Sequence, residues 1–548
     1  MARMGSSLRE SLAAALATPA LRNLQAGWLL SSVGGWGFMV ALSLYAFDRG
    51  GVAAVGLAAA ARMIPAGLAA PFAGLLADRR SRRDVLVAST MIRALTVALV
   101  AVCAAADASL LAILPLAALF TAVSTAHRPA QAALLPALAR SPRELAGGNA
   151  LTSAADNAGF LVSALAAGVT VGLASPEAAF AGIAAAFALA TLALARIGAD
   201  PVPDHRRPDV ASALGRELLL GARTLLASPS LRLVGGTITA LAVCEGAIDV
   251  LVVVTALSVL DLGDSGVGVL NSAWGIGGVV GGAAALQVFA RGRLGLGLAA
   301  GGLAIAAPLI ALAALPRPAL AVLLLAILGL GYALVEVAGL TLVQRLTSDE
   351  VLARVFGSLE TGYWIATGVG ALLAPAAVAL FGGRGALAAT GAAVALLFAV
   401  VCRPLVRLGG GRDVGARELE LLRRLPIFAP LPLADVETLA LRLEPVPVVA
   451  GELLFSQGDA GDRFYVVAGG RLEVVVDGHR RNVLAEGEGF GEIALVRECP
   501  RTATVRALES AQLLALDRGP FLDTVVKHPR AGQAAGRIAN LHLEGVSA

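Results

Sequence analysis

The chain has 548 residues, of which 57% are hydrophobic and only 15% charged, and its mean hydropathy is +0.79. That composition is too apolar for a soluble protein and places most of the chain in a bilayer. The formal net charge of +4 comes largely from arginine-rich loops, so it does not imply a nucleic-acid partner. Cys103, Cys244, Cys402 and Cys499 are too scattered for a disulfide framework or a zinc site.

In chain order, Met1 to Asn23 carries charge but lacks the apolar core and cleavage pattern of a removed signal peptide, so the first span is expected to be the targeting signal. Twelve apolar stretches long enough to cross about 30 Å of hydrocarbon come next, at 24–46, 53–76, 85–106, 110–126, 148–173, 178–197, 231–259, 266–290, 295–315, 319–343, 355–381 and 386–406. Arginine sets their orientation. Arg79, Arg80, Arg82, Arg83, Arg206, Arg207, Arg291, Arg293, Arg403 and Arg407 fall on one side with many others, against Arg49, Arg317 and Arg384 on the other. Positively charged loops stay inside, so both termini are expected in the cytoplasm and the protein in the plasma, or inner, membrane.

The loop between the second and third spans, Gly74 to Arg83, reads GLLADRRSRR. It resembles the G-x-L-[AG]-D-R-x-G-R-[RK] loop of the major facilitator superfamily. The resemblance implies that Gly74 permits close helix approach and Asp78 caps a helix or pairs with a cation, while Arg79, Arg82 and Arg83 hold the loop to the cytoplasmic face. Ser81 stands where that pattern has a second glycine. Between the fourth and fifth spans, RPAQAALLPALARSPRELAGGNAL from Arg128 to Leu151 is similar to drug- and siderophore-efflux members. A fainter copy, LTLVQRLTSDEVLARVFGS, runs from Leu340 to Ser358. The resemblance to the superfamily implies two six-helix halves related in this way, about 20–197 and 231–406, bridged by 198–230. The copy of the first loop in the second half, Gly282 to Arg293, is degenerate.

Ionisable residues inside spans are expensive and usually functional or paired. Arg62, Arg93, Asp156, Glu245, Asp249 and Glu336 are the transport candidates. Glu245 and Asp249, four apart, share a helix face and suit a proton- or cation-binding pair. Arg62 and Arg93 fit better as locks onto acidic partners. Trp28, Trp36, Trp274 and Trp364 either line a pathway or serve as packing and interface anchors.

After the basic stop at Arg403 to Arg407, Gly409-Gly410-Gly411 is a joint, and a helix capped by Asp413 carries Leu419, Leu422 and Leu425 toward the C-terminal domain. From Val446 the pattern turns to short strands with glycine turns, and from Arg518 a helix resumes. A short helix around Ile538 to Leu543 is the candidate lid.

Phe490 to Val505 reads FGEIALVRECPRTATV. A strand ends in a helical turn whose first N–H groups can face an anion. Arg501 can pair with a phosphate by two parallel bonds, and Glu492 suits a sugar hydroxyl. The stretch resembles the phosphate-binding cassette of cyclic nucleotide-binding domains, with Gly451, Gly458, Gly461, Asp462 and Gly470 at turn positions of that β-roll. The resemblance implies Glu492 on the ribose 2′-hydroxyl, Arg501 on the cyclic phosphate, and the amides of Gly491, Ile493 and Ala494 around them. Thr502 follows the arginine as in several cyclic GMP-responsive members.

The expected architecture is a membrane all-α bundle of twelve transmembrane helices plus a small cytosolic β-roll domain with flanking helices. The transporter domain would occupy 1–408, a linker 409–424, and the nucleotide-binding domain 425–548. The expected function is secondary transport, with proton-coupled efflux of a small molecule regulated by cAMP or cGMP. The alternative is a membrane-anchored nucleotide sensor without transport. A gated channel lacks its arginine ladder and pore loop, a gene regulator its helix-turn-helix, and a hydrolase its G-x-S-x-G, so no enzyme, cofactor or metal is expected.

Overall fold

The computed structural model describes residues 12–13, 15–198, 220–289, 294–347, 349–409 and 416–547. The chain divides into two compact units, Met1–Leu340 with Arg354–Gly409 and Thr341–Ala353 with Gly410–Ala548. The predicted triple-glycine joint, the Asp413 cap, most of the 198–230 bridge and the end of the Gly282–Arg293 loop lie outside the described residues.

The first unit is helical, which in hydrocarbon satisfies the backbone polar groups within each segment. In order it contains α1 (Pro19–Arg79), α2 (Arg82–Ala105), α3 (Leu110–Ser124), α4 (His127–Leu138), α5 (Pro142–Leu173), α6 (Pro176–Ala195), α7 (Pro229–Val254) with a π-helical turn at Thr255–Val259, α8 (Gly263–Phe289), α9 (Leu294–Ala314), α10 (Pro318–Leu346) and α11 (Asp349–Gly409). Among the described residues ten helices are long and apolar enough to cross a membrane.

Three of the helices start with the dipeptide Ser-Pro. Ser141, Ser175 and Ser228 each accept a hydrogen bond from the backbone N–H three residues on, and the following proline occupies a position whose N–H would go unpaired. The first and last apolar stretches run to 54 and 55 residues, at 1.5 Å per residue far longer than a bilayer is thick. Each is broken at glycine. Gly51 takes φ 58°, ψ −148° and Gly382 φ 69°, ψ 172°, conformations a side chain would resist.

Two expected loops are helical. The stretch from Arg128 onward continues as α4, and only 139–141 separate it from α5. Pro129 sits in the first turn of α4, where a missing N–H removes no bond, so it does not break the helix. Likewise the Leu340–Ser358 stretch lies in α10 and α11, with only 347–348 between them. Packing in this unit depends on small residues. A Cβ on Gly277 would stand 1.8 Å from the Ala326 carbonyl oxygen, and one on Gly329 would stand 2.0 Å from that of Trp274. There α8 and α10 meet backbone to backbone.

The second unit has α12 (Ala416–Arg424), α13 (Leu433–Ala440), β1 (Glu444–Val448), β2 (Leu453–Phe455), β3 (Arg463–Gly469), β4 (Leu472–Val476), β5 (His479–Leu484), β6 (Gly489–Phe490), α14 (Glu492–Arg497), β7 (Thr504–Ala507), β8 (Ala511–Asp517), α15 (Arg518–Lys527) and α16 (Pro529–Ser547). The strands form two four-stranded antiparallel sheets, ordered β1-β8-β3-β6 and β2-β7-β4-β5.

β3 reads as an unbroken apolar run because both its faces are buried. Tyr465 and Val467 point into the roll with Leu472, Phe490 and Leu513. Phe464, Val466 and Ala468 face a helical layer containing Leu422 and Leu425 of α12, Val436 and Leu439 of α13, Phe521 of α15 and Ala531 and Ala535 of α16. The linker leucines thus dock as expected, with Leu421 in addition. The final helix is far longer than the expected Ile538–Leu543 segment, since Ala531, Ala535, Ile538 and His542 share one face and bring most of its length onto the core. Within this unit Arg345 forms an ion pair with Glu437 of α13, and both side chains are largely buried.

Candidate functional site

The cassette expected at Phe490–Val505 is assembled by the roll. Phe490 ends β6 against Tyr465 of β3, and the next residue, Gly491, turns the chain with φ 89°, ψ 0° as the N-cap of α14. Only glycine adopts that conformation freely, and a Cβ there would come within 2.7 Å of Arg501 Nη1. The turn leaves the first N–H groups of α14, including those of Ile493 and Ala494, without intrahelical acceptors.

Arg501 is 4% exposed. Its backbone is pinned by the 456–459 turn, with its N–H donating to the Asp459 carbonyl and its own carbonyl accepting from Gly458, both at 2.8 Å. Its guanidinium lies 4.3 Å from the centre of the Phe455 ring. Nη1 donates to the Gly491 carbonyl at 3.1 Å and Nη2 to the Arg463 carbonyl at 2.8 Å. Nε is buried without a partner. Burial pushes the guanidinium below its ordinary value, with Tyr465 and Asp462 acting the other way, yet an arginine keeps its charge in such surroundings.

Glu492 is 1% exposed, and its Oε1 is 2.6 Å from Nδ1 of His542 on α16. That hydrogen bond raises the imidazole pKa above its ordinary value against the opposing effect of burial. A cavity of about 260 Å³ is bounded by Gly491, Glu492, Arg501, Thr502, Leu541 and His542 among others. All six residues expected of the cassette, Gly491, Glu492, Ile493, Ala494, Arg501 and Thr502, line it. The sequence does not mark His542. It stands fifty residues from Glu492 in the chain, and only the one-face spacing of α16 could have pointed to it. The cavity can take a small anion beside a buried cation and a hydrogen-bond acceptor.

The sequence profile of the Major Facilitator Superfamily matches residues 26–358. The chain belongs to that superfamily. It also carries a C-terminal cyclic nucleotide-binding domain, matched over residues 445–528. This superfamily protein is 44% identical over 72 residues to a cAMP-dependent protein kinase regulatory subunit of Yarrowia lipolytica, a match covering 13% of this chain and 19% of that protein. Among solved structures it is similar to the regulatory domain of Toxoplasma gondii PKA with cAMP. That likeness has 32% identity over 21% of this chain and 46% of the other, with TM-score 0.20. A second similar structure is the N-terminal domain of a transcriptional regulator from Streptomyces coelicolor A3(2), with 34% identity over 23% of this chain and 92% of that one, TM-score 0.20. The chain therefore spans about a fifth of the curated relative and about half of the first of these structures.

In the membrane unit the transport candidates fall into separate groups. Asp156 and Glu336 line one cavity of about 450 Å³ together with Arg93. Asp156 accepts from Ser32 Oγ at 2.9 Å and faces Arg128 at 3.4 Å. Arg62 and Asp249 line a separate small cavity with Asn271, and Glu245 accepts a 2.8 Å bond from Tyr363 Oη. Arg93 does not lock onto an acid. Among the described residues it forms no ion pair, and its guanidinium sits 4.6 Å from the centre of the Phe187 ring. The ring it meets belongs to α6, the helix against which α2 packs.

Of the conformational loop, Gly74 falls within α1, and the side chains of Asp78 and Arg79 lie outside the described residues. Arg82 and Arg83 open α2, where Arg83 pairs with Asp84 at 2.7 Å and donates to the Ala195 carbonyl at the end of α6 at 2.8 Å.

Proposed function

We propose that the protein is a secondary transporter whose cycle is biased by a cyclic nucleotide, cAMP or cGMP, bound in its C-terminal domain. The observation that carries the reading is Arg501, a buried cation with a donor left over at Nε beside the uncapped first turn of α14. A cyclic phosphate supplies the missing acceptor, and the Glu492 carboxylate supplies one for a ribose hydroxyl. The match to a cAMP-dependent kinase regulatory subunit supports cAMP as the first ligand to test.

In this reading the glycine breaks at 51 and 382 turn ten apolar stretches into twelve crossings, and both termini face the cytoplasm with its arginine-rich loops. Transport is efflux of a small molecule driven by protons. Glu245 and Asp249, held four apart in an apolar bundle beside Tyr363 and Arg62, are the groups that suit proton exchange. Coupling between domains is supported by the Thr341–Ala353 segment, which is continuous in sequence with α10 and α11 of the transporter yet belongs to the nucleotide-binding unit.

The test is efflux of a panel of amphipathic dyes and metal chelators from vesicles containing the full chain, with and without cAMP or cGMP on the side of the C-terminal domain. Tight nucleotide binding with no change in any flux sinks the regulatory part. Flux that ignores an imposed pH gradient sinks the proton coupling.

A further inference from the structure

The 450 Å³ cavity of the membrane unit has the size of a small-molecule site, and its chemistry narrows what fits. Its walls are aromatic slabs. Trp28 stacks on His127 with ring centres 5.1 Å apart and planes within 7°, Trp36 meets Phe160 edge-on at 4.5 Å, and Trp274 of α8 also lines the cavity. Among the polar atoms of these walls, five are buried without a partner, and most of them are donors.

Arg93 is 4% exposed, and its Nε and Nη2 have no hydrogen-bond partner. Trp28 Nε1 and Ser31 Oγ, in residues 6% and 4% exposed, are also unpartnered. Leaving several buried donors open is costly unless something fills the site. The acids on the wall do not serve. Asp156 is engaged by Ser32 and Arg128, and among the described residues Glu336, on α10, makes no ion pair with Arg93. His127 adds an acceptor. The Ser89 hydroxyl donates to the Leu86 carbonyl at 3.0 Å, so the 3.2 Å contact between Ser89 Oγ and His127 Nδ1 is best read with Nδ1–H donating, which leaves the unpartnered Nε2 as an acceptor.

We infer that this cavity is the binding site for a planar organic anion, an aromatic or conjugated ring bearing a carboxylate, whose charged group is taken by Arg93 and whose ring lies against the Trp28–His127 stack. The inference rests on the transporter reading and names its substrate class. Beside Arg93, which forms no ion pair among the described residues, a cationic group would bring like charges together, and Glu336 is the acid on this wall that would compete for it.

The test uses the full chain in nanodiscs with three probes of one shape: 4-nitrobenzoate, 4-nitrobenzamide and 4-nitrobenzylammonium. Three of the four tryptophans, Trp28, Trp36 and Trp274, line the cavity, so a nitroaromatic bound there quenches the intrinsic fluorescence, and calorimetry gives the affinity. The carboxylate is expected to bind at least about tenfold more tightly than the amide, with the ammonium weakest, as a charge-assisted bidentate pair demands. Arg93→Gln is expected to erase the carboxylate's advantage, and Arg93→Lys to retain part of it and so guard against a folding defect. Equal or tighter binding of the amide or the ammonium, no binding of any probe, or an advantage that survives Arg93→Gln overturns the assignment. Carboxylate binding without counterflow in proteoliposomes keeps the assignment and removes the transporter reading. Counterflow of the ammonium with no carboxylate binding does the reverse.

Discussion

Replacing Arg501 by alanine tests the nucleotide site most directly. A guanidinium has five N–H donors, and here one on Nη1 and one on Nη2 are spent on the Gly491 and Arg463 carbonyls. The unpartnered Nε–H and one hydrogen on each Nη remain, with Nη2 also 3.6 Å from Asp462 Oδ1, and two of the three can pair with a phosphate. Hydrogen bonds to charged groups are worth about 1.5–3 kcal/mol each, so losing two costs about 3–6 kcal/mol, or roughly 10²- to 10⁴-fold in affinity at about 1.4 kcal/mol per decade. The assay is calorimetric titration of the full chain with cAMP and with cGMP. Because the alanine also strips the Gly491 and Arg463 carbonyls of a hydrogen-bond donor, its melting midpoint is measured alongside, and Arg501→Lys serves as the folded control. Lysine keeps the charge but not the fork, so an intermediate loss of about tenfold is expected. Binding by a folded alanine variant within about threefold of the parent would refute the assignment of Arg501 to the phosphate.

Gly491→Ala places a methyl group 2.7 Å from Arg501 Nη1 at a backbone φ of 89°. It should weaken nucleotide binding by about tenfold or more, through about 1–3 kcal/mol of strain and displacement, as read by the same titration. His542 occupies Glu492, and its pKa is raised by that bond. The contact is therefore complete below the ordinary imidazole value near 6.5 and is lost as pH rises through the raised value. A ribose hydroxyl that displaces His542 should bind more tightly as pH increases across this window, and His542→Gln should flatten the profile; an affinity that falls with pH in the parent speaks against the displacement. Reversing both charges of the Arg345–Glu437 pair should preserve nucleotide regulation of flux, whereas Arg345→Glu alone should weaken it, and equal behaviour of the two variants would remove this pair from the coupling. Gly329→Leu, which drives a side chain into the Trp274 carbonyl, should lower the melting midpoint of the whole membrane unit and abolish transport.

The spans and the cassette are legible in the sequence because each depends on local rules. Hydropathy over about twenty residues marks a crossing, and Gly491, Glu492 and Arg501 lie within eleven positions of one another, so one strand, one turn and one helix bring them together. The helical continuation through Arg128 to Leu138 is hidden by its prolines, which mark breaks in general but are harmless in a first turn, as at Pro129. Arg93 reads as a lock in the sequence because its environment is set by α6, some ninety residues downstream, where Phe187 rather than a carboxylate faces it. His542 and Arg345 owe their roles to helices that meet only in the folded unit, and no spacing in the chain marks either contact.

The proposed control of flux needs a route by which the nucleotide site distinguishes transporter states, since a ligand shifts an equilibrium only by its differential affinity. The second unit supplies a contiguous one. His542 ties Glu492 to α16, and α16 buries Ala531 and Ala535 in the same helical layer as Val436 and Leu439 of α13. Glu437 lies between those two residues and holds Arg345, at the end of α10, whose earlier turns carry Glu336 on the wall of the membrane cavity. In the proposed control, a nucleotide that took Glu492 from His542 would loosen the first link, and the layer would then repack as a unit, because close-packed side chains have few intermediate arrangements. Spatial adjacency alone does not establish transmission. The decisive measurement is therefore a double-mutant cycle between His542→Gln and Arg345→Glu, read as the nucleotide dependence of flux. Effects that add independently break the route, and a coupling of about 0.5–2 kcal/mol supports it.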